Sequence, residues 1–97
     1  DCGFLSARNE GEGFSSVGWR FSPTKVFNYR KLYLLLSGVC AERMKAVFIT
    51  DAGVFGYNLT PDGLTEITLD DCLESRIELI ADELDDSLES ELLACLN

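Results

Sequence analysis

Met44 to Leu59 reads M-K-A-V-F-I-T-D-A-G-V-F-G-Y-N-L, and the fold turns on how this stretch is paired. Ala46-Val47-Phe48-Ile49 is an apolar run of β-formers with apolar side chains on both faces. That is the pattern of an interior strand covered on both sides. Asp51-Ala52-Gly53 supplies a three-residue hairpin loop, with Gly53 where the backbone must turn left-handed. The returning strand, Val54 to Leu59, puts Phe55, Tyr57 and Leu59 on one face. A central hairpin over Lys45–Leu59 is therefore the expected heart of a small, mostly antiparallel sheet.

Upstream, Gly3 to Arg8 reads as a short strand and Asn9-Glu10-Gly11-Glu12-Gly13 as a flexible turn. The interleaved glutamates, with no lysine after them, argue against a phosphate-binding loop. Val17, Trp19 and Phe21 alternate with Gly18 and Arg20, the period of a half-buried strand that places Trp19 in the core. Residues 23–37 read two ways. Ser22, Pro23 and Gly38 are spaced as helix boundary signals. Yet Val26, Phe27, Tyr29 and the run Leu32 to Leu36 would surround a helical axis and leave no polar face, so a buried strand is preferred there. Downstream of the hairpin, Thr60-Pro61-Asp62-Gly63 is a strong turn and Leu64 to Ile67 a further extended piece.

From Thr68 the apolar spacing fits a period of about 3.6. Thr68-Leu69-Asp70-Asp71 resembles a capping box. Leu69, Leu73, Ile77, Ile80, Ala81 and Leu84 fall on one helical face, with Asp71, Glu74, Glu78, Asp82 and Asp85 opposite. Asp85-Asp86-Ser87 offers new capping groups, so a second helix is expected from Leu88 to Leu96, packing through Leu88, Leu92, Leu93 and Leu96. The expected fold is thus α+β: one domain over 1–97, mainly β over 1–67 and helical over 68–97. The C-terminal acidic amphipathic helices would cover one face of the sheet.

Charge is the most unusual property. Residues 1–60 carry seven Lys/Arg and five Asp/Glu, whereas 61–97 carry one Arg and twelve Asp/Glu, within a net charge of −9. Such asymmetry reports on partners or solubility. The like-charged pairs Asp70–Glu74, Glu74–Glu78, Glu78–Asp82 and Asp82–Asp86 each oppose a helix by a few tenths of a kcal/mol, which burial of the Leu/Ile stripe outweighs. A solvated face is one reading of these acids and a surface for a basic partner the other. On the second, Glu74, Glu78, Asp82, Asp85 and Glu89 are the candidate partner-binding residues. A calcium site lacks the D-x-D-x-D-G loop.

With no histidine the commonest acid–base group is missing, and acids flank Cys72, the thiol nearest a helix start. No catalytic residue, cofactor or metal ligand is assigned. Cys2, Cys40, Cys72 and Cys95 contain no C-x-x-C pair and, apart from Cys2, sit beside apolar residues, so reduced thiols and an intracellular setting are expected. Apolar runs are too short to cross a membrane, and the first residues lack a signal-peptide pattern. Asn58-Leu59-Thr60 is a formal glycosylation sequon on what reads as a strand end. Arg20, Lys25, Arg30, Lys31, Arg43 and Lys45 interleave with aromatics, but the total charge repels nucleic acid. They are expected to pair with the acidic helices or with a second copy.

K-A-V-F-I-T-D-A-G over Lys45–Gly53, followed by a turn and an acidic stretch, loosely resembles the strand–turn–strand–helix portion of roadblock-type dimerisation modules. It is similar too to part of the head domains of end-joining scaffold proteins. The resemblance covers less than half of the chain, both families continue with further strands, and it assigns no residue roles.

The expected function is a non-catalytic protein-interaction module or accessory subunit, whose partner is another protein of basic character or a second copy. A nucleic-acid-mimicking inhibitor of a basic site is the alternative, and a small enzyme the third reading. Because the apolar core needs no bridges, reductant should leave the melting temperature unchanged. A drop on the order of tens of degrees would reveal structural disulfides.

Overall fold

A computed structural model describes residues 3–11, 13–83 and 86–97, without the side chains of 9–11. Its strands are β1 (Phe4–Gly11), β2 (Phe14–Phe21), β3 (Arg43–Thr50), β4 (Gly53–Thr60), β5 (Gly63–Leu69) and β6 (Ser75–Ala81). Helix α1 (Tyr29–Ser37) joins β2 to β3, and α2 (Leu88–Ala94) follows β6. All strand pairs are antiparallel, in the spatial order β1-β2-β6-β3-β4-β5.

The hairpin forms as expected, with two refinements. Gly53 pairs with Thr50, leaving Asp51-Ala52 as a two-residue connection. Gly53 sits at φ +127° and relieves the turn of a Cβ. Thr50 Oγ1 donates to the Gly53 carbonyl at 2.7 Å and accepts from the Ala52 amide at 3.1 Å. β3 is interior, between β6 and β4, but covered on one face only: Met44, Ala46, Phe48 and Thr50 are buried while Lys45 is exposed. Pro61-Asp62 turns between β4 and β5 as the sequence implies, with Gly63 at φ +131°.

The segment after Thr68 corrects the expected fold. Residues 68–83 hold no helix: Thr68-Leu69 ends β5, and 75–81 is a strand inserted between β2 and β3. The protein is therefore mostly antiparallel sheet with two short helices, and no acidic C-terminal helix pair covers the sheet. The physical reason lies in S-R-I-E-L-I-A, which satisfies period two as well as 3.6. Ser75, Ile77, Leu79 and Ala81 all turn inward while Arg76, Glu78 and Ile80 turn outward. As a strand, this segment avoids the like-charge repulsion that a helix would impose. Glu78 instead stands opposite Lys45 and Gly18, and Glu74 meets Arg20 at 2.6 Å. Leu73, needed for the helical stripe, is 94% exposed.

Residues 23–37 are corrected as well, because α1 replaces the preferred strand. Asn28 caps it, accepting the Lys31 amide at 3.0 Å, and Asp51 accepts the Tyr29 amide at 2.9 Å. Leu32 and Leu36, four residues apart, are fully buried on the sheet side. No polar face was required, because Tyr33 and Leu34 are simply left exposed. α2 forms where expected, burying Leu88 and Leu92 with Leu93 and Leu96 partly covered.

One face of the sheet thus carries the core. Phe21, Phe27 and Phe48 form consecutive edge-to-face contacts with centroids 5.0 and 4.8 Å apart. Trp19 is buried as expected, and its indole N–H donates to Glu89 Oε1 at 2.9 Å, fastening α2. At the β5 side, the Tyr57 and Tyr29 hydroxyls both donate to Glu66, Tyr57 at 2.8 Å, clamping the start of α1 to the sheet. Burial and the Glu66 carboxylate push the Tyr57 hydroxyl well above its ordinary value, and the hydrogen bond to Glu66 raises Tyr29 also. Ser75, fully buried, accepts the Ile49 amide on its hydroxyl at 2.8 Å, where the β3–β6 ladder has ended at Val47–Arg76.

Phe48→Ala should cost about 3–5 kcal/mol in chemical denaturation. Ser75→Ala should cost about 1–3 kcal/mol, because it orphans the Ile49 amide. Near-wild-type midpoints for both would move the core elsewhere. The tyrosine clamp sets an alkaline limit. The folded state keeps Tyr57 protonated above pH about 10, where the unfolded chain loses that proton, so stability falls as pH rises beyond that value. Tyr57→Phe should flatten the fall in a series of melts from neutral to alkaline pH, and an equally steep decline would sink this assignment.

Candidate protein-interaction face

The parity that buries one set of side chains turns the other set outward, and no element among the described residues covers it. Registered across all six strands, one row of this open face reads Leu5, Arg20, Arg76, Val47, Gly56, Ile67. The next reads Ala7, Gly18, Glu78, Lys45, Asn58, Thr65. Ile80 and Arg43 stand opposite each other one step further on.

Small residues shape the surface. A Cβ at Gly56 would lie 3.1 Å from the Ile67 side chain, so that glycine lets Ile67 and Leu69 lean across β4. At Gly18 a Cβ would approach the Ile77 carbonyl and Glu78 Cγ. Two shallow grooves result. One of about 900 Å³ is lined by Leu5, Arg20, Arg43 and Ile80, and one of about 530 Å³ by Val47, Asn58, Ile67 and Leu69. They share Lys45, Arg76 and Glu78, so they meet at the middle of the sheet.

The electrostatics of this face invert those of the chain. Four of the eight basic residues lie on it, against Glu78 and the Arg20-bound Glu74. Among the described residues Arg43, Lys45 and Arg76 form no ion pair. Asn58 Oδ1 is buried on the same face with no hydrogen-bond partner among the described residues, a state native proteins seldom tolerate. The sequon occupies the last three residues of β4, directly before the Pro61-Asp62 turn.

The five acids chosen from the sequence do not form one surface. Glu78 lies on the open face, Glu74 at the start of β6 beside Arg20, and Asp82 in the bend after β6. Glu89 is on the covered side, bound to Trp19, and Asp85 lies outside the described residues. Of the bases that interleave with aromatics in the sequence, Arg20, Arg43 and Lys45 reach this face, and Arg76 joins them from the segment expected to be helical. The aromatic neighbours turn to the opposite face, and only Phe14, at the corner beginning β2, shares the parity of these bases. Alternation could have found them: Arg20 is out of phase with Trp19 and Phe21, and Arg43 and Lys45 with Met44, Ala46 and Phe48.

Nothing nucleophilic gathers here. Cys40, Cys72 and Cys95 are free thiols. Burial pushes the Cys72 thiol up, against the lowering effect of the Glu74 amide. The described residues contain no group of three or more Cys, Asp and Glu placed to hold a metal ion. No helix among them is long and apolar enough to cross a membrane. No protein-family model, curated protein or solved structure matches the chain.

Proposed function

We propose that the protein is a non-catalytic interaction module that binds a protein partner on the open face of its sheet. The observation carrying this reading is that a six-stranded sheet buries one face and leaves the other uncovered, with Leu5 67% and Ile67 59% exposed. A sheet side ordinarily finds a second layer to bury its apolar residues. Exposed apolar side chains grouped between polar ones mark interaction sites. The acidic residues, scattered over several surfaces, serve here to keep the chain soluble and to set its long-range field.

The rival apolar patch is Tyr33 and Leu34 on α1, which separates the two surfaces experimentally. Proteins that co-purify with the wild-type chain should be lost with Leu5→Glu/Ile67→Glu and retained with Leu34→Glu, all three chains melting alike. Loss with Leu34→Glu alone would move the binding surface to α1.

A further inference from the structure

We infer that the occupant of the open face is an acidic amphipathic helix of a partner protein. This rests on the interaction reading above and adds the chemistry and shape of the partner. The charge argument comes first. Within a chain of net charge −9, the open face presents Arg20, Arg43, Lys45 and Arg76, three of them unpaired among the described residues. Such a surface steers and registers a partner carrying carboxylates.

The arrangement of the bases narrows the occupant. Arg43, Lys45 and Arg76 belong to the two middle strands, β3 and β6, while Leu5 lies at one sheet edge and Ile67 and Leu69 at the other. The middle strands also present Val47, Glu78 and Ile80 on this face, but bases outnumber acids there. A ligand crossing the strands is therefore best matched by carboxylates at its middle and aliphatic groups towards both ends. Six strands at about 4.8 Å spacing make a path of roughly 24 Å, the length of a helix of about 16 residues. The two grooves meet over Lys45, Arg76 and Glu78 and form that path.

Other occupants fit less well. Two copies meeting through this face would bring Arg43, Lys45 and Arg76 against themselves, because a two-fold interface repeats the same patch on both sides. A single-stranded nucleic acid needs aromatic platforms. The core aromatics lie on the covered side, and Phe14 stands alone at a corner of the open one.

The test is selection of helical peptides of about 16 residues, randomised on one face, against the wild-type chain. Binders should be enriched in Asp and Glu at central positions and in Leu, Ile or Val towards both ends. Arg43→Glu/Lys45→Glu/Arg76→Glu should weaken a selected peptide by about tenfold or more at low salt, chiefly in the association rate, with the melting curve unchanged. If that variant does not fold, the corresponding triple Gln variant supplies the same comparison with a smaller loss. Binders abolished by Ile67→Glu but neutral or basic in sequence would overturn the acidic helix and leave the interaction face standing. Selected peptides indifferent to Ile67→Glu would overturn both. Dimerisation of the wild-type chain abolished by Ile67→Glu, or tight binding of an oligothymidine abolished by charge reversal, would replace the helix with a second copy or a nucleic acid.

Discussion

Phe27 is the contact on which the two ends of this architecture depend. Its ring, wholly buried, stands edge-on between Phe21 of β2 and Phe48 of β3, two strands that are not neighbours in the sheet. Its amide donates to the Ile49 carbonyl at 2.9 Å, and its carbonyl accepts from the Asp51 amide at 3.0 Å. On the other side the adjoining residues meet the C-terminal segment, through the Asn28 amide to the Cys95 carbonyl at 2.7 Å and the Asn97 amide to the Val26 carbonyl at 2.8 Å. The connection between β2 and α1 is therefore a strap that fixes where α1 begins, which face it covers and where α2 docks.

The two sides of the sheet divide the chemistry between them. The strapped side collects nearly every aromatic ring and the clamp of Tyr29, Tyr57 and Glu66. The open side collects aliphatic groups, small residues and bases, three of which form no ion pair among the described residues. This separation follows from strict alternation along β2, β3 and β6: the aromatic residues Trp19, Phe21 and Phe48 point inward, while the outward positions hold bases, small residues and the aliphatics Val47, Ile49 and Ile80. A protein that is acidic on average thus keeps a locally basic surface, a contrast that composition alone conceals.

Much of this was legible in the chain. The β3–β4 hairpin, the Pro61-Asp62 turn, the alternation of β2 and the short α2 all follow from local spacing and turn chemistry. Two segments were not. In α1 only the Gly38 end agrees with the spacing in the sequence. The helix starts not at Ser22-Pro23 but at Asn28, which carries the cap, and its apolar circumference is accommodated by leaving Tyr33 and Leu34 exposed. In β6 two periodicities coexist, and the choice belongs to tertiary pairing: β2 and β3 each offer an unpaired edge that only this segment fills. The open face was hidden for the same reason, since an acidic helix laid over the sheet would have paired with its bases.

The position of β6 has a consequence for how the protein acquires its fold. β1 and β2 form one hairpin and β3, β4 and β5 a meander, and the two blocks share no ladder; the last strand in sequence is what joins them. Val17 meets Leu79, and Trp19 meets Ile77, across about sixty intervening residues. Closing a loop of that size precedes any reward from the pairing, which places this chain among slow, high-contact-order folders despite its short length. Until β6 is inserted, the facing edges of β2 and β3 are two unsatisfied backbone templates within one molecule, and intermolecular strand pairing competes for them. In the folded state the strap at Phe27 ties the two blocks together a second time, through Phe21 of β2 and Phe48 of β3.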